Sequence, residues 1–168
     1  LVEGKLAIAE RLLRAYLHEN PTDVAAIRML AEAGARLGRF EDSEKLLVRC
    51  LELAPSFLAA RHNYALVLHR QSKATEALTQ IDMLLAADPR NPSYRFLRAS
   101  ALTRVGEYEA AIALYEDLLR EHPTNARAWL SLGHARKTAG HQQESIDAYL
   151  RSAEHAPQFG EAYWSLAN

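Results

Sequence analysis

The stretch ARAWLSLGHARKTAGHQQESIDAYLRSAEHAP, residues 126–157, ends on a proline that recurs at a fixed interval. Pro21, Pro55, Pro89, Pro123 and Pro157 stand 34 residues apart; a sixth proline, Pro92, lies just after Pro89. Proline lacks an N–H and turns the residue before it away from helix, so each ends one helix and suits the start of the next. A fixed period of this size is the mark of a repeat array, in which each unit is one supersecondary element.

Other columns keep the same step. Gly4, Gly38, Gly106 and Gly140 share one, with Ser72 in the third copy. The column follows about fourteen helix-forming residues and reads as a left-handed C-terminal cap before a tight turn. Ala9, Ser43, Ala77, Ala111 and Ser145 form a second column, and Ala31, Ala65, Ala99, Gly133 and Ala167 a third. Small side chains about twelve residues apart, one on each of two successive helices, let a helix pair approach closely. Ala111, Leu114, Tyr115 and Leu118 fall at i, i+3, i+4 and i+7, an amphipathic helical stripe, and no stretch alternates as a strand would. The expected fold is all-α, about ten helices of 11–15 residues paired into hairpins whose stacking buries one continuous core.

Composition narrows the function. The 168 residues are 49% hydrophobic and 24% charged, which suits an ordered globular chain and not a disordered one. The net charge of −1 supplies no field to recruit nucleic acid, although Arg (16) far outnumbers Lys (4). No run is long and apolar enough for a membrane helix, so membrane insertion is not expected. No secretory leader is visible, and the one cysteine, Cys50, forms neither an internal disulfide nor a multi-cysteine metal site; a cytoplasmic location is expected. No GxSxG, phosphate-cradling glycine loop or framed carboxylate pair is present, so the chain is not expected to be an enzyme or to hold a cofactor. His62 and His69 are seven apart, about 10 Å along a helix, too far to share a metal ion.

In residues 126–157 the set Trp129, Leu132, Gly133, Gly140, Tyr149 and Pro157, together with GEYEAAIALYEDLLREHP (Gly106–Pro123), resembles the tetratricopeptide repeat. The third copy is looser, with Arg61 in the aromatic place and Ser72 and Ala74 in the glycine–aromatic turn. The resemblance covers the chain and implies an α-α superhelix. It implies one domain over 1–168, with repeats at 24–57, 58–91, 92–125 and 126–159 and partial ones at 1–23 and 160–168. It further implies a protein-interaction scaffold with a concave groove lined by the first helix of each pair. The groove residues so implied are Arg28, Arg36, His62, Asn63, His69, Arg70, Arg104, Leu130, His134, Lys137 and Trp164, with Leu97, Ser165 and Asn168 on the same face. The expected partner is a protein or peptide, or a glycan or other acidic acceptor. Arg28 and Asn63 match two members of the carboxylate clamp by which some of these proteins hold a chaperone tail. Glu32, Ser93 and Leu97 depart from it, so chaperone-tail binding is not expected.

Arg36, Arg70 and Arg104 are 34 apart, with Lys137 one residue off the next rung. Two readings stand. The rungs form a basic track for acidic groups, or they are last-turn cations that complement their helix dipoles by about 0.3–1 kcal/mol each.

RHNYALVLHRQSKATEAL (Arg61–Leu78), AWLSLGHARKTAG (Ala128–Gly140) and GEAYWSLAN (Gly160–Asn168) are also similar to the repeat region of bacterial TPR–sulfotransferase proteins. This implies the non-catalytic part of a larger enzyme that presents an acceptor. The alternative is a regulatory or assembly domain of another bacterial complex, such as an envelope or polysaccharide system. Because the sequence opens on Leu1 and closes inside a repeat, it is expected to be a fragment. GEAYWSLAN aligns with ARAWLSLGH one period earlier, so Tyr163, Leu166 and Ala167 should cap the fifth repeat while Trp164 turns to the groove. Self-association end to end, or mobile ends, is expected.

Overall fold

The computed structural model describes residues 2–167, with side chains from Gly4 onward. Among these residues there are ten helices and no strand. They are α1 (Val2–Glu19), α2 (Val24–Arg36), α3 (Phe40–Leu53), α4 (Leu58–Arg70), α5 (Ala74–Ala87), α6 (Pro92–Val105), α7 (Tyr108–Glu121), α8 (Ala126–Ala139), α9 (Gln142–His155) and α10 (Gly160–Ala167).

The periodic prolines sit where their chemistry puts them. Each of the five lies two residues beyond the last residue of α1, α3, α5, α7 or α9. Three of the helices that follow begin on a polar N-cap. Asp23 accepts from the N–H groups of Ala25 and Ala26 at 3.0 Å, Asn91 from those of Ser93 and Tyr94, and Asn125 from that of Ala128. Each satisfies donors that the first helical turn leaves without a partner.

The turn inside each pair is equally regular. Gly38, Gly106 and Gly140 adopt φ of 78°, 88° and 91°, and the N–H of the next residue returns to a carbonyl five back: Arg39 to Gly34, Glu107 to Leu102 and His141 to Arg136. This is the Schellman closure, which needs a left-handed residue. Ser72 closes the α4–α5 turn the same way, with Lys73 N–H on Leu68 O, but at φ 62° with a β-carbon. A non-glycine residue there costs roughly 1–2 kcal/mol, partly offset by glycine's greater entropy loss on folding. Ser72→Gly is therefore expected to raise the urea midpoint at unchanged m-value, by roughly 0.5–1 kcal/mol. A midpoint that stays put or falls refutes it.

Gly4 departs from its column. It lies inside α1, which at 18 residues is longer than expected, and no described helix precedes it to be capped. α10, with 8 residues, is shorter. The eight helices between them have 13 or 14 residues.

The chain divides into two compact units, residues 1–87 and 88–168. In the first, Ile27, Ala31, Leu47, Cys50, Ala60 and Val67 form a buried cluster, with Phe40, Phe57 and Tyr64 packed against it. Cys50 is fully buried and its thiol donates to Val24 O at 3.3 Å; burial pushes its pKa up, so it serves as a small packing residue. In the second unit Leu130, Tyr149, Ala153 and Ala162 cluster with Phe159 and Leu166, and Tyr115 and Leu118 are buried as well. The small columns do bring helices close. Ala31, Ala65, Ala99, Ala77 and Ala111 have no exposed surface, and neither does Ser43.

Candidate functional site

The first helices of the pairs carry the expected groove residues, and each unit shows its own part. In the first unit α2, α3 and α4 enclose a cleft of about 600 Å³ lined by Glu32, Arg36, Phe40, Asn63, Leu66 and Arg70 among others. Its floor is apolar, because Ala31, Leu47 and Val67 belong to the core beneath. Its polar groups sit in three distinct states. Glu32 lies between two cations one turn to either side: Arg28 donates to it at 3.0 Å and Arg36 at 2.8 Å. Arg36 is thus an ion-paired residue as well as a last-turn cation. Arg70, exposed in the last turn of α4, reaches the same cleft. The Nδ2 of Asn63 is shielded from solvent and, among the described residues, has no hydrogen-bond partner. A buried amide N–H left unpaired costs about 1–3 kcal/mol, and a ligand acceptor would recover it. His62, half-buried beside Asn63, has its pKa lowered by burial and is neutral near pH 7.

In the second unit Arg104 and Lys137 stand exposed in the last turns of α6 and α8. His134 is half-buried. Its ring meets Tyr149 edge-on at 5.4 Å, and Nε2 lies 3.4 Å from Ser165 Oγ. Burial lowers its pKa, Glu161 opposes that, and Lys137 adds to it. Phe96 packs edge-on against Tyr115 at 5.6 Å and carries the Arg127 guanidinium 5.0 Å above its ring.

The structure relocates several expected residues. Leu130 is a core residue, 5% exposed, because Ala162 and Leu166 of α10 close over it. Leu97 and Ser165 are buried too, whereas Trp164 is 66% exposed. At the last helix Ala162 and Ser165 are buried and Leu166 packs on the fifth repeat, while Tyr163 and Ala167 point outward. Asn168 lies outside the described residues. His69 is half-buried on α4. Among the described residues no three His, Cys, Asp or Glu side chains converge as a metal site, and no helix is long and apolar enough to cross a membrane. The pairing of Arg28, Glu32 and Arg36 had a sequence signal, an i, i+4, i+8 run of alternating charge. The unpartnered amide of Asn63 had none.

Tetratricopeptide repeat models match residues 1–56 and 28–92, and a second such model matches 94–135. The chain belongs to the tetratricopeptide repeat family. Such repeats are protein–protein interaction scaffolds. "TPR repeat-containing protein YpiA" of Bacillus subtilis is 29% identical over 51% of the chain, and "Cellulose synthase 2 operon protein C" of Komagataeibacter xylinus is 29% identical over 94%. The alignments span 20% and 12% of those two proteins, so the chain corresponds to a small part of each. Among solved structures, YrrB, described as a TPR protein with an unusual peptide-binding site, superposes with a TM-score of 0.80 at 12% identity, over 98% of this chain and 85% of that one. MamA from Desulfovibrio magneticus RS-1 gives 0.83 at 18% identity, over 93% and 88%. These likenesses fix the fold class as the α-α superhelical TPR solenoid.

Proposed function

We propose that the chain is a non-catalytic interaction module that takes an extended acidic peptide in the cleft of its first unit. One observation carries the reading: a shielded, unpartnered Asn63 Nδ2 lies in the same cleft as the exposed Arg70 guanidinium. Asn63 would donate to a ligand carbonyl and Arg70 to a carboxylate, while Leu66 and Phe40 offer apolar contact. The charged lining residues Glu32, Arg36 and Arg70 sum to a net +1, which favours an acidic segment. Arg104, His134, Lys137 and Trp164 belong to a separate candidate surface on the second unit, and a cytoplasmic location is part of the proposal.

The test uses a short fluorescein-labelled peptide of alternating glutamate and leucine, its lysine–leucine counterpart, and fluorescence anisotropy. The acidic peptide is expected to bind and the basic one not. Asn63→Ala and Arg70→Ala should each weaken binding by roughly tenfold or more, with a shallower salt dependence for Arg70→Ala alone. Equal binding of both peptides, or indifference to both substitutions, sinks the reading. A sulfated oligosaccharide that binds where the acidic peptide does not would move it to glycan acceptors.

Two parents suit such a module. The similarity of Arg61–Leu78 and Gly160–Asn168 to TPR–sulfotransferase repeats supports an acceptor-presenting region of a bacterial sulfotransferase-like protein. The match over 94% of the chain to a cellulose synthase operon protein supports an assembly domain of a polysaccharide system. In either setting a second copy of the chain is a further partner.

A further inference from the structure

The near-zero net charge hides a division by helix. The pairs are α2 with α3, α4 with α5, α6 with α7 and α8 with α9. Their first helices, α2, α4, α6 and α8, carry ten arginines and lysines and a single carboxylate, Glu32. Their second helices, α3, α5, α7 and α9, carry thirteen carboxylates against four arginines and lysines. Part of this division ties helix to helix. Arg95 of α6 pairs with Asp117 and Glu121 of α7, and Arg136 of α8 pairs with Glu116 of α7 at 2.7 Å. Glu32 is the exception in both respects. It is an acid on a basic layer, and its partners lie on its own helix. Arg28 Nη1 donates to its Oε2 at 3.0 Å and Arg36 Nη2 to its Oε1 at 2.8 Å, so each carboxylate oxygen holds a different guanidinium. Such i, i+4 pairs on a partly exposed helix face add little to stability. The other repeats hold Leu66, Ser100 and His134 at this place, so the fold does not require an acid there.

We propose that Glu32 is a specificity residue of the first-unit cleft: a carboxylate built into the chain that occupies Arg36 and limits the ligand to one acidic group, held at Arg70. The inference rests on the peptide reading of that cleft. Glu32, Arg36, Asn63 and Arg70 line the same cleft, so a ligand that reaches Arg70 and Asn63 also passes Arg36. A ligand carboxylate at Arg36 has two courses. Displacing Glu32 exchanges one charge-assisted bond for another and leaves two carboxylates side by side. Joining Glu32 on the same guanidinium also sets like charges together, which repels. A second acidic group on the ligand therefore gains next to nothing. Arg70 has no such competitor one turn before it, because Leu66 stands there. The ligand class is thereby narrowed to a segment with one acidic residue among apolar ones. Its carboxylate meets Arg70, and its apolar side chains lie over Ala31, Leu47 and Val67.

Fluorescence anisotropy on the 168-residue chain tests it. The probes are labelled leucine–glutamine peptides of equal length that carry one glutamate or two. The quantity read is the ratio of the two affinities. In the parent chain the second glutamate should improve binding by about twofold at most, the statistical gain of a second register. In Glu32→Gln the same ratio should rise by roughly tenfold, the worth of a new charge-assisted bond at Arg36. Adding Arg36→Ala to Glu32→Gln should return the ratio to the parent's. Glu52→Gln, on α3 and outside the cleft, makes the same change in net charge and should leave the ratio alone. Circular dichroism checks that the variants fold, and Glu32→Ser, which copies Ser100 of the same column, repeats the measurement independently. An unchanged ratio in Glu32→Gln and Glu32→Ser, with Arg70→Ala still weakening the one-glutamate peptide, overturns this inference and leaves the cleft reading standing. An equal rise in Glu52→Gln overturns it too, since net charge alone would then be at work. A parent chain that binds neither peptide overturns the cleft reading and this inference with it.

Discussion

Replacing Gly133 with alanine is expected to destabilise the second unit by about 1–3 kcal/mol. A β-carbon at Gly133 would stand 2.5 Å from Cδ1 of Tyr149, closer still to Cε1, and 3.1 Å from Cζ. The ring cannot yield easily. It is 2% exposed, His134 packs against it edge-on, and the Ser152–Ala126 hydrogen bond ties α9 to α8. The alanine must therefore push two close-packed helices apart, which forfeits dispersion contacts along both. The period-mates show what relief looks like. Ala31 is matched by Leu47 in the first unit, where an alanine and a leucine share these places with no exposed surface on either. Ala99 is matched by Tyr115, edge-on to Phe96, so a tyrosine beside an alanine needs a ring seated differently from that of Tyr149. Tyr149→Leu should accordingly rescue Gly133→Ala in part, giving a coupling energy of about 1 kcal/mol or more in a double-mutant cycle. Urea unfolding followed by far-UV circular dichroism reads all four proteins. An unchanged midpoint for Gly133→Ala would mean that the ring and the two helices re-seat freely.

Much of this packing was legible in the sequence because it is local and periodic. The prolines and the left-handed turns are one-residue signals with one-residue causes, and they fall where the period puts them. Gly4 misled for an instructive reason: sharing a column is evidence for a cap only if a helix stands before it. Leu130 misled differently. Its period-mates Arg28, His62 and Phe96 are all half-buried, so the position lies on the border between groove and core. Which side it takes is decided by the next helix; here Ala162 and Leu166 cover it. The same border shifted the capping residues of α10 from Tyr163 and Ala167 to Ala162 and Ser165. The cleft's chemistry was less legible still. Arg36 and Arg70 are identical rungs of one column, and what separates them is outside the column: Glu32 stands one turn before Arg36 and ties it down, whereas Leu66 stands one turn before Arg70. Asn63 is one polar residue among several on its face, and its unpaired amide follows from the side chains around it, not from its spacing.

Arg95 supplies the second large effect, and it separates charge from packing. The column Ile27, Arg61, Arg95, Trp129 and Tyr163 holds apolar residues in several copies, yet in the fourth a guanidinium, with its side chain 8% exposed, fills the place. It survives there because α7 supplies two carboxylates one turn apart: Arg95 donates to Glu121 at 2.7 Å and to Asp117, which Arg120 also engages at 2.7 Å. Arg95→Ala should cost about 2 kcal/mol, from the lost stem packing and from two carboxylates left facing each other. Both carboxylates are about half exposed, so water rehydrates them and the penalty stays below that of a stranded buried charge. Arg95→Met keeps the volume without the charge and should lose far less, or gain, because the guanidinium no longer has to be desolvated. The two variants also differ from the parent in acid. Arg95 holds the Glu121 carboxyl below its usual range. The stability this contributes is present above that range and is lost as the pH falls through the depressed folded value. Arg95→Met has no such contribution to lose, so its midpoint should gain on the parent's as the pH drops. Urea midpoints for the three proteins at neutral and acid pH decide the matter. Equal losses for alanine and methionine would show that the ion pairs, and not the filled space, hold α6 to α7.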